Sequence, residues 1–506
     1  MLVDMPEQYS PHPLPFQITN DLARHLPSLV STGVGEEQPD PHLIILNEGL
    51  AQELGLDAEW LRSAEGLSFL LGRRNPPELP PQALAYAGHQ FGSFNPQLGD
   101  GRALLLGEVR AQSGAWDGQL VDLHVKGAGP TPFSRVGSDG RGGIGPMLRE
   151  YLVSEAMHAI GVPTARALAV IATGRQIQRD RVVPAAVVVR AATSHLRVGT
   201  AQFAQMAGGP ELVENVVDYT CQRHFPDLEE VDGTVPDKVT EFFRAVMDAQ
   251  AATVARWQRL GFIHGVMNTD NTTLSGQTID YGPCAFMENY DLDTVFSSID
   301  RQGRYRFGNQ PAILGWNLAR LVETLVPLLS DEPNQGIELA QSLINEFGER
   351  YAAADHSEMA QALNLDEEAA ESAELISGYR QLLVQDRPDL TNTNRALVSA
   401  AAGNTTPLRE LLPSDAGWID QWLSTQDGDA AELLGRFHPL VVPRNIALHR
   451  ALKEAEDGSY DLFHQLADAT ASPYSELGEH INPQLAQELT NPDPNELQGF
   501  LTFCGT

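Results

Sequence analysis

The feature that most constrains this 506-residue chain is a change of hydrophobic period near Thr200. Before it, short apolar runs alternate with glycine-rich turns. After it, apolar residues recur at three- and four-residue spacing. Strand-rich sequence followed by helix-rich sequence, with no fixed repeat period, predicts two unlike lobes and weighs against a helical solenoid. The length also exceeds what one hydrophobic core usually serves, so a deep cleft between lobes is feasible.

In the first part, Leu43 to Leu46 reads as a strand and Glu48 to Leu54 as a short helix. ALLLGEVR from Ala103 and LVDLHVKG ending at Lys126–Gly127 form a predicted hairpin around a Gly/Ser/Asp loop at Ser113 to Gly118. Pro146 to Ile160 carries Leu148, Leu152, Ala156 and Ile160 at four-residue spacing, the pattern of an amphipathic helix. A second strand pair, RALAVIATG and RVVPAAVVVR, is expected to turn at Gly174. Beyond Thr200, Val239, Phe242, Phe243, Val246 and Met247 share a helical face behind Pro236. Further helical stretches are expected at 314–329, 337–347, 372–384 and 446–455. These limits divide the chain into an extension at 1–80, a strand-rich part at 81–200, a helical part at 201–330 and a helical extension with a tail at 331–506.

Composition narrows the partners. Lys+Arg of 34 against Asp+Glu of 67 gives a net charge of -33, which repels nucleic acid and anionic lipid alike. No run of about 18 apolar residues could span a bilayer, and no signal or transit pattern opens the chain, so the cytoplasm is the expected compartment. Three scattered cysteines, Cys221, Cys284 and Cys504, suit neither a disulfide framework nor a zinc site. Cys504 lies third from the end, where a thiol is expected to be exposed.

Against this acidic background an anionic nucleotide needs a local group of cations. Gly99–Asp100–Gly101–Arg102 fits either a tight turn or a phosphate cradle. The chain holds three lysines, Lys126, Lys238 and Lys453, and Lys126 alone ends an apolar strand, where a compact ammonium suits phosphate oxygens. Glu150 on the following helix can pair with it and hold it extended. Between them, Asp139 and Gly140 sit in a glycine-rich loop open to two readings, surface loop or nucleotide contact. Arg190 and Arg197 flank the end of the second strand pair, and are either solvated or a phosphate clamp.

The densest constellation runs from Gly261 to Gly282 and contains Asn268–Thr269–Asp270–Asn271 and Asp280–Tyr281–Gly282. A two-residue turn at Ser275–Gly276 would set Asn271 opposite Asp280, about 5 Å apart between alpha carbons, where their oxygens can share Mg or Mn. Asp270 would then be free to accept a hydroxyl proton. An Asp base, an Asn ligand and an Asp-aromatic-Gly ligand in this order are the parts of a kinase catalytic loop. The expected fold is therefore α+β and protein-kinase-like: a bilobal molecule with a strand-rich N-lobe, a large helical C-lobe and a helical C-terminal extension.

Tyr86–Ala87–Gly88–His89–Gln90–Phe91–Gly92, Gln97 to Arg102, Val125 to Gly129, Thr131 to Arg135, Asn268 to Asn271 and Asp280 to Pro283 together resemble the selenoprotein O family across most of the chain. That resemblance implies ATP bound in reversed orientation and AMP transfer to Ser, Thr or Tyr hydroxyls of proteins. It implies Gly99, Gly101, Arg102, Lys126, Asp139, Gly140, Arg190 and Arg197 as nucleotide-binding residues, Asp270 as the base, and Asn271 and Asp280 on Mg or Mn. It also places Cys504 near the selenocysteine of some members, with a redox role implied. The sequence departs from the family at Ser138, which reads as an insertion, at the glycine-rich stretch Gly142 to Pro146, and in its first 40 residues. At Phe296 to Asp300 it also lacks a cysteine common in the family, which would leave Cys284, Cys221 or another chain to pair with the tail. A kinase-type phosphotransferase and a catalytically silent nucleotide-binding pseudokinase are the alternatives.

Overall fold

The structure, a computed structural model, describes residues 13–229, 233–491 and 499–502. Its first half is a mixed-length antiparallel sheet. The strands are β1 (Val30–Thr32), β2 (His42–Leu46), β3 (Gln82–Leu84), β6 (Ala103–Arg110), β7 (Leu120–Lys126), β9 (Arg166–Gln178) and β10 (Val182–Ala192), in spatial order β1-β3-β6-β7-β10-β9-β2, with the short β8 (Gly142–Gly143) on β10. A separate hairpin, β4 (Gly88–Gln90) and β5 (Ser93–Asn95), stands off the sheet.

Strand alternation decides what each face does. On β7, Val121, Leu123 and Val125 join Leu104, Leu106, Leu168 and Val187 in a core roofed by Leu50, Leu61 and Phe69 from short helices within residues 48–70. Burial of each of these apolar side chains stabilises by about 1.5–3 kcal/mol relative to exposure. The other face of β7 carries Asp122, His124 and Lys126, and β10 brings Arg190 directly opposite His124 and Val188 opposite Lys126. Against this face lies the helix Ile144–Ala159, which buries Leu148 and Leu152 in the main core together with Val170 and Val188.

Two expectations fail in detail. The chain does not turn at Gly174, which lies inside β9 at φ 74 against Asp40; the turn is at Arg179–Arg181, so both strands run further than their apolar residues indicate. The segment 261–282 also lacks the two-residue hairpin: Thr272 pairs with Thr278, one residue out of the expected register, around a five-residue loop. The reason is competition from distant backbone. Leu274 N–H donates to Leu196 and Thr278 N–H to Pro163, while Gln250 Nε2 donates to Thr273 O at 2.6 Å.

From Val198 the described chain is mainly helical, with one short strand pair, Phe262–Ile263 on Ala285–Phe286. Helices Val198–His224, Val235–Leu260 and Gln310–Leu329 continue the main core below the sheet. Contrary to the expectation from the sequence, the stretch Phe307–Leu329, which contains the last of these helices, is by length and composition long and apolar enough to cross a bilayer. Here it buries Leu314, Leu318, Leu321 and Leu325, and its Asn317 Nδ2 donates to Met267 O at 3.0 Å and Thr272 Oγ1 at 2.9 Å. It is a core helix that braces the loop at Met267 to Thr272. Helices Ala370–Asp386 and Leu390–Ala401 build a second helical core around Trp422, and Asn445–Glu456 and Asp461–Ala471 fold back onto Ile144–Ala159.

Candidate active site

The sheet and the helical half enclose a cavity of about 450 Å³, a common size for a ligand site. Its lining includes Gly99, Gly101, Arg102, Lys126, Asp139, Glu150, Arg190, Arg197, Asp270, Asn271 and Asp280. Residues spread from 99 to 280 in sequence thus meet at one place. Gly140 stands just behind it: at φ 64 it packs on Gly129, where a Cβ would come within 2.2 Å of backbone. Cys504 lies outside the described residues. Cys221 and Cys284 are both buried, and burial pushes the Cys284 thiol up to about 12.

The floor is an alternating charge network. Lys126 Nζ donates to Glu150 Oε2 at 2.8 Å and to Asp280 Oδ1 at 2.6 Å. Arg190 spans the same two carboxylates, Glu150 through Nε and Asp280 Oδ1 through Nη2 at 2.5 Å. Burial alone would raise both acids, but Arg190 and then Lys126 outweigh it, and hold Asp280 well below the carboxylate range and Glu150 below its usual value. Asp280 adopts φ 62, left-handed backbone for a non-glycine residue; strain of this kind often accompanies function.

Arg197 is 2% exposed and lies over the Tyr86 ring at 4.2 Å. Its Nη1 donates to Asp270 O at 3.1 Å, and its buried Nη2 has no protein partner. Orphaned buried donors are rare, and one on a cavity wall marks a place for an anion. Tyr86 O in turn accepts from Leu98 N and Gly99 N, both at 3.0 Å, so one residue positions both the glycine turn and the arginine.

Asp270 is pushed up to about 6, chiefly by burial. Its Oδ2 accepts from Gln90 Nε2 at 3.1 Å, and its buried Oδ1 has no partner. Asn271 Nδ2 donates to Val266 O at 2.9 Å, which directs the amide oxygen the other way. Among the described residues no three His, Cys, Asp or Glu side chains gather as a metal cluster. The donor set suits a different kind of site: an amide oxygen and a carboxylate, Asp280, whose Oδ2 has Arg197 only at 4.0 Å, beside a cavity open to phosphates and water. Mg and Mn take such partial oxygen sets.

Sequence reasoning assigned no role to Tyr86, Gln90, Arg135, Arg141 or Arg179, although all line the cavity. Asp139 faces it already paired with Arg179 at 3.0 Å, and Arg141 with Glu36 at 2.6 Å. The signal for Tyr86 and Gln90 was their motif, too polar and glycine-rich for a core strand.

A strand-ending lysine held by a helix glutamate, above an Asp–Asn and Asp–Tyr–Gly loop, defines a kinase-like nucleotide-dependent class. Comparison with known proteins then specifies it. The family model "Protein adenylyltransferase SelO" matches residues 17–466, and the chain belongs to that family. The match begins nearer the N-terminus than the sequence motifs indicate. The chain is 51% identical over 507 aligned residues to a protein nucleotidyltransferase YdiU of Corynebacterium efficiens, covering 99% of each. It is 48% identical to proteins of that name from Corynebacterium glutamicum, covering 97% of this chain and 99% of the relative, and from a Mycobacterium species, covering 96% and 98%.

Proposed function

We propose that the protein is an adenylyltransferase that moves AMP from ATP onto Ser, Thr or Tyr hydroxyls of protein acceptors, with ATP entering triphosphate end first. The observation that carries this reading is the burial of Arg190 and Arg197, 4% and 2% exposed, on the cavity wall. Arginines so placed suit the γ-phosphate at the floor, which leaves the α-phosphate nearer the base. Solvent-facing arginines would have favoured phosphate transfer.

In this reading Lys126, kept extended by Glu150, and Arg190 and Arg197 bind the triphosphate. Gly99, Gly101, Arg102, Asp139 and Gly140 shape the rest of the nucleotide site. Asn271 and Asp280 would hold Mg or Mn, which supplies charge neutralisation to the phosphates when bound. The acceptor oxygen bonds to the α-phosphorus, the bond from that phosphorus to the bridging oxygen breaks, and pyrophosphate leaves. The hydroxyl proton passes to Asp270, whose raised affinity for protons suits a base working near neutrality. The segments 81–200 and 201–330 are read as the two lobes, with 1–80 and 331–506 as extensions, in a cytoplasmic protein.

The test is incubation of purified protein with Mg or Mn and ATP labelled separately at the α and γ phosphates, with Asp280→Ala as control. Label from the α position on protein, lost in Asp280→Ala, is expected. Label from γ alone would mean phosphate transfer and overturn the reading; undiminished activity in Asp280→Ala would overturn the metal assignment.

A further inference from the structure

The β4–β5 hairpin belongs to no core, yet its backbone and side chains are fastened to the catalytic loop. His89 N–H donates to Thr269 Oγ1 at 2.7 Å, and Phe91 N–H to Asn268 Oδ1 at 3.2 Å. Phe91 holds φ 51 to do so. Tyr305 closes the arrangement, its hydroxyl donating to the same Asn268 oxygen at 2.6 Å.

Both oxygens of the Asp270 carboxylate rest on this hairpin. Oδ1 lies so close to Gly88 that a Cβ there would stand 2.7 Å from it. Oδ2 accepts from Gln90 Nε2. The Gln90 amide has its orientation fixed from behind, because Arg135 Nη2 donates to Gln90 Oε1 at 3.1 Å. A flipped amide would set oxygen against carboxylate on one side and NH2 against guanidinium on the other. Oδ2 keeps a second lone pair, and Gln90 and Asp270 both line the cavity.

We infer that Gln90 is a positioning residue for AMP transfer: with Gly88 it fixes the Asp270 carboxylate so that the free lone pair of Oδ2 faces the acceptor hydroxyl. This rests on the proposed role of Asp270 as base. Gln90 touches neither phosphate nor proton in this role; it acts through Asp270 alone.

The experiment is a double-mutant cycle on full-length protein, with steady-state α-label transfer from ATP and, separately, ATP affinity by equilibrium binding. Gln90→Ala should lower kcat by about 10- to 100-fold, the weight of one hydrogen bond to a charged group, with KM and binding of ATP unchanged. In the Asp270→Ala background the same change should cost nothing more, because the group it positions is gone. Gly88→Ala, which displaces Oδ1 rather than Oδ2, should reproduce the kcat loss with ATP binding intact. Gln90→Ala with wild-type kcat, or with the same fractional loss in both backgrounds, would overturn the inference. Full activity of Asp270→Ala alone would instead remove the base assignment, and wild-type protein without α-label transfer would remove the AMP reading itself.

Discussion

Glu108 should make the stability of this fold fall as pH rises through neutrality. It is fully buried on β6, and accepts N–H bonds from Asp21 at 2.8 Å and Leu22 at 2.9 Å. Burial first, and then the neighbouring Asp122 charge, push it up to about 7 from 4.5. In the folded chain it therefore keeps its proton across a window in which the unfolded chain has released it. There the folded state binds more protons, so stability present below about pH 4.5 is lost as pH climbs through 7. A rise of that size corresponds to about 3 kcal/mol across the window. Buried histidines act oppositely: His195, lowered to about 4 chiefly by burial, contributes stability that grows as pH rises toward 6.5. The informative quantity is thus the difference between wild type and Glu108→Gln. Urea unfolding at half-unit intervals from pH 5 to 8 should show that difference changing by about 2 kcal/mol between pH 5 and 7.5, most of the whole change. The amide keeps one acceptor oxygen and presents an NH2 to the other backbone N–H, which adds a pH-independent offset. Parallel stability curves would show that Glu108 does not titrate in this range and would refute the reasoning.

Lys126→Met should lower kcat/KM for ATP by on the order of 100-fold, since it removes the ammonium between Glu150 and Asp280 and leaves both carboxylates to Arg190; a change below about threefold in labelled transfer would exclude it from the site. Gly99→Ala should destabilise by about 1–3 kcal/mol in urea unfolding, because φ is 62 and the new Cβ would stand 2.5 Å from Phe133 Cγ. A wild-type midpoint would show that the turn can relax.

Much of the fold was legible because it rests on local periodicity. Alternation along 120–126 placed Lys126 on the face away from Leu123 and Val125, and four-residue spacing set the helix that carries Glu150; the observed 2.8 Å pair joins the two. Arginines and acids of the floor were legible as types that are costly to bury without a partner. What the sequence could not display was choice among distant backbone partners. Thr272 to Thr278 looks like a hairpin in isolation, and is pulled out of register by Leu196 and Pro163. Gln90 and Asp270 are 180 positions apart, and neither carries any mark of the other. The same holds for Tyr86, whose ring lies under the guanidinium of Arg197, 111 positions away in sequence.

The scarcity of lysine has a practical corollary. With three ammonium side chains in the sequence, one of them at the floor of the cavity, one paired with Asp218 at 2.8 Å and one on the helix Asn445–Glu456, amine-directed reagents have very few targets on this molecule. A reactive acyl group delivered by a nucleotide probe would meet Lys126 and no other lysine of the cavity lining. The chain is thereby its own reporter: acylation at that one position, mapped by mass, reads occupancy of the cavity in a whole-cell extract without a substrate for the enzyme having to be known.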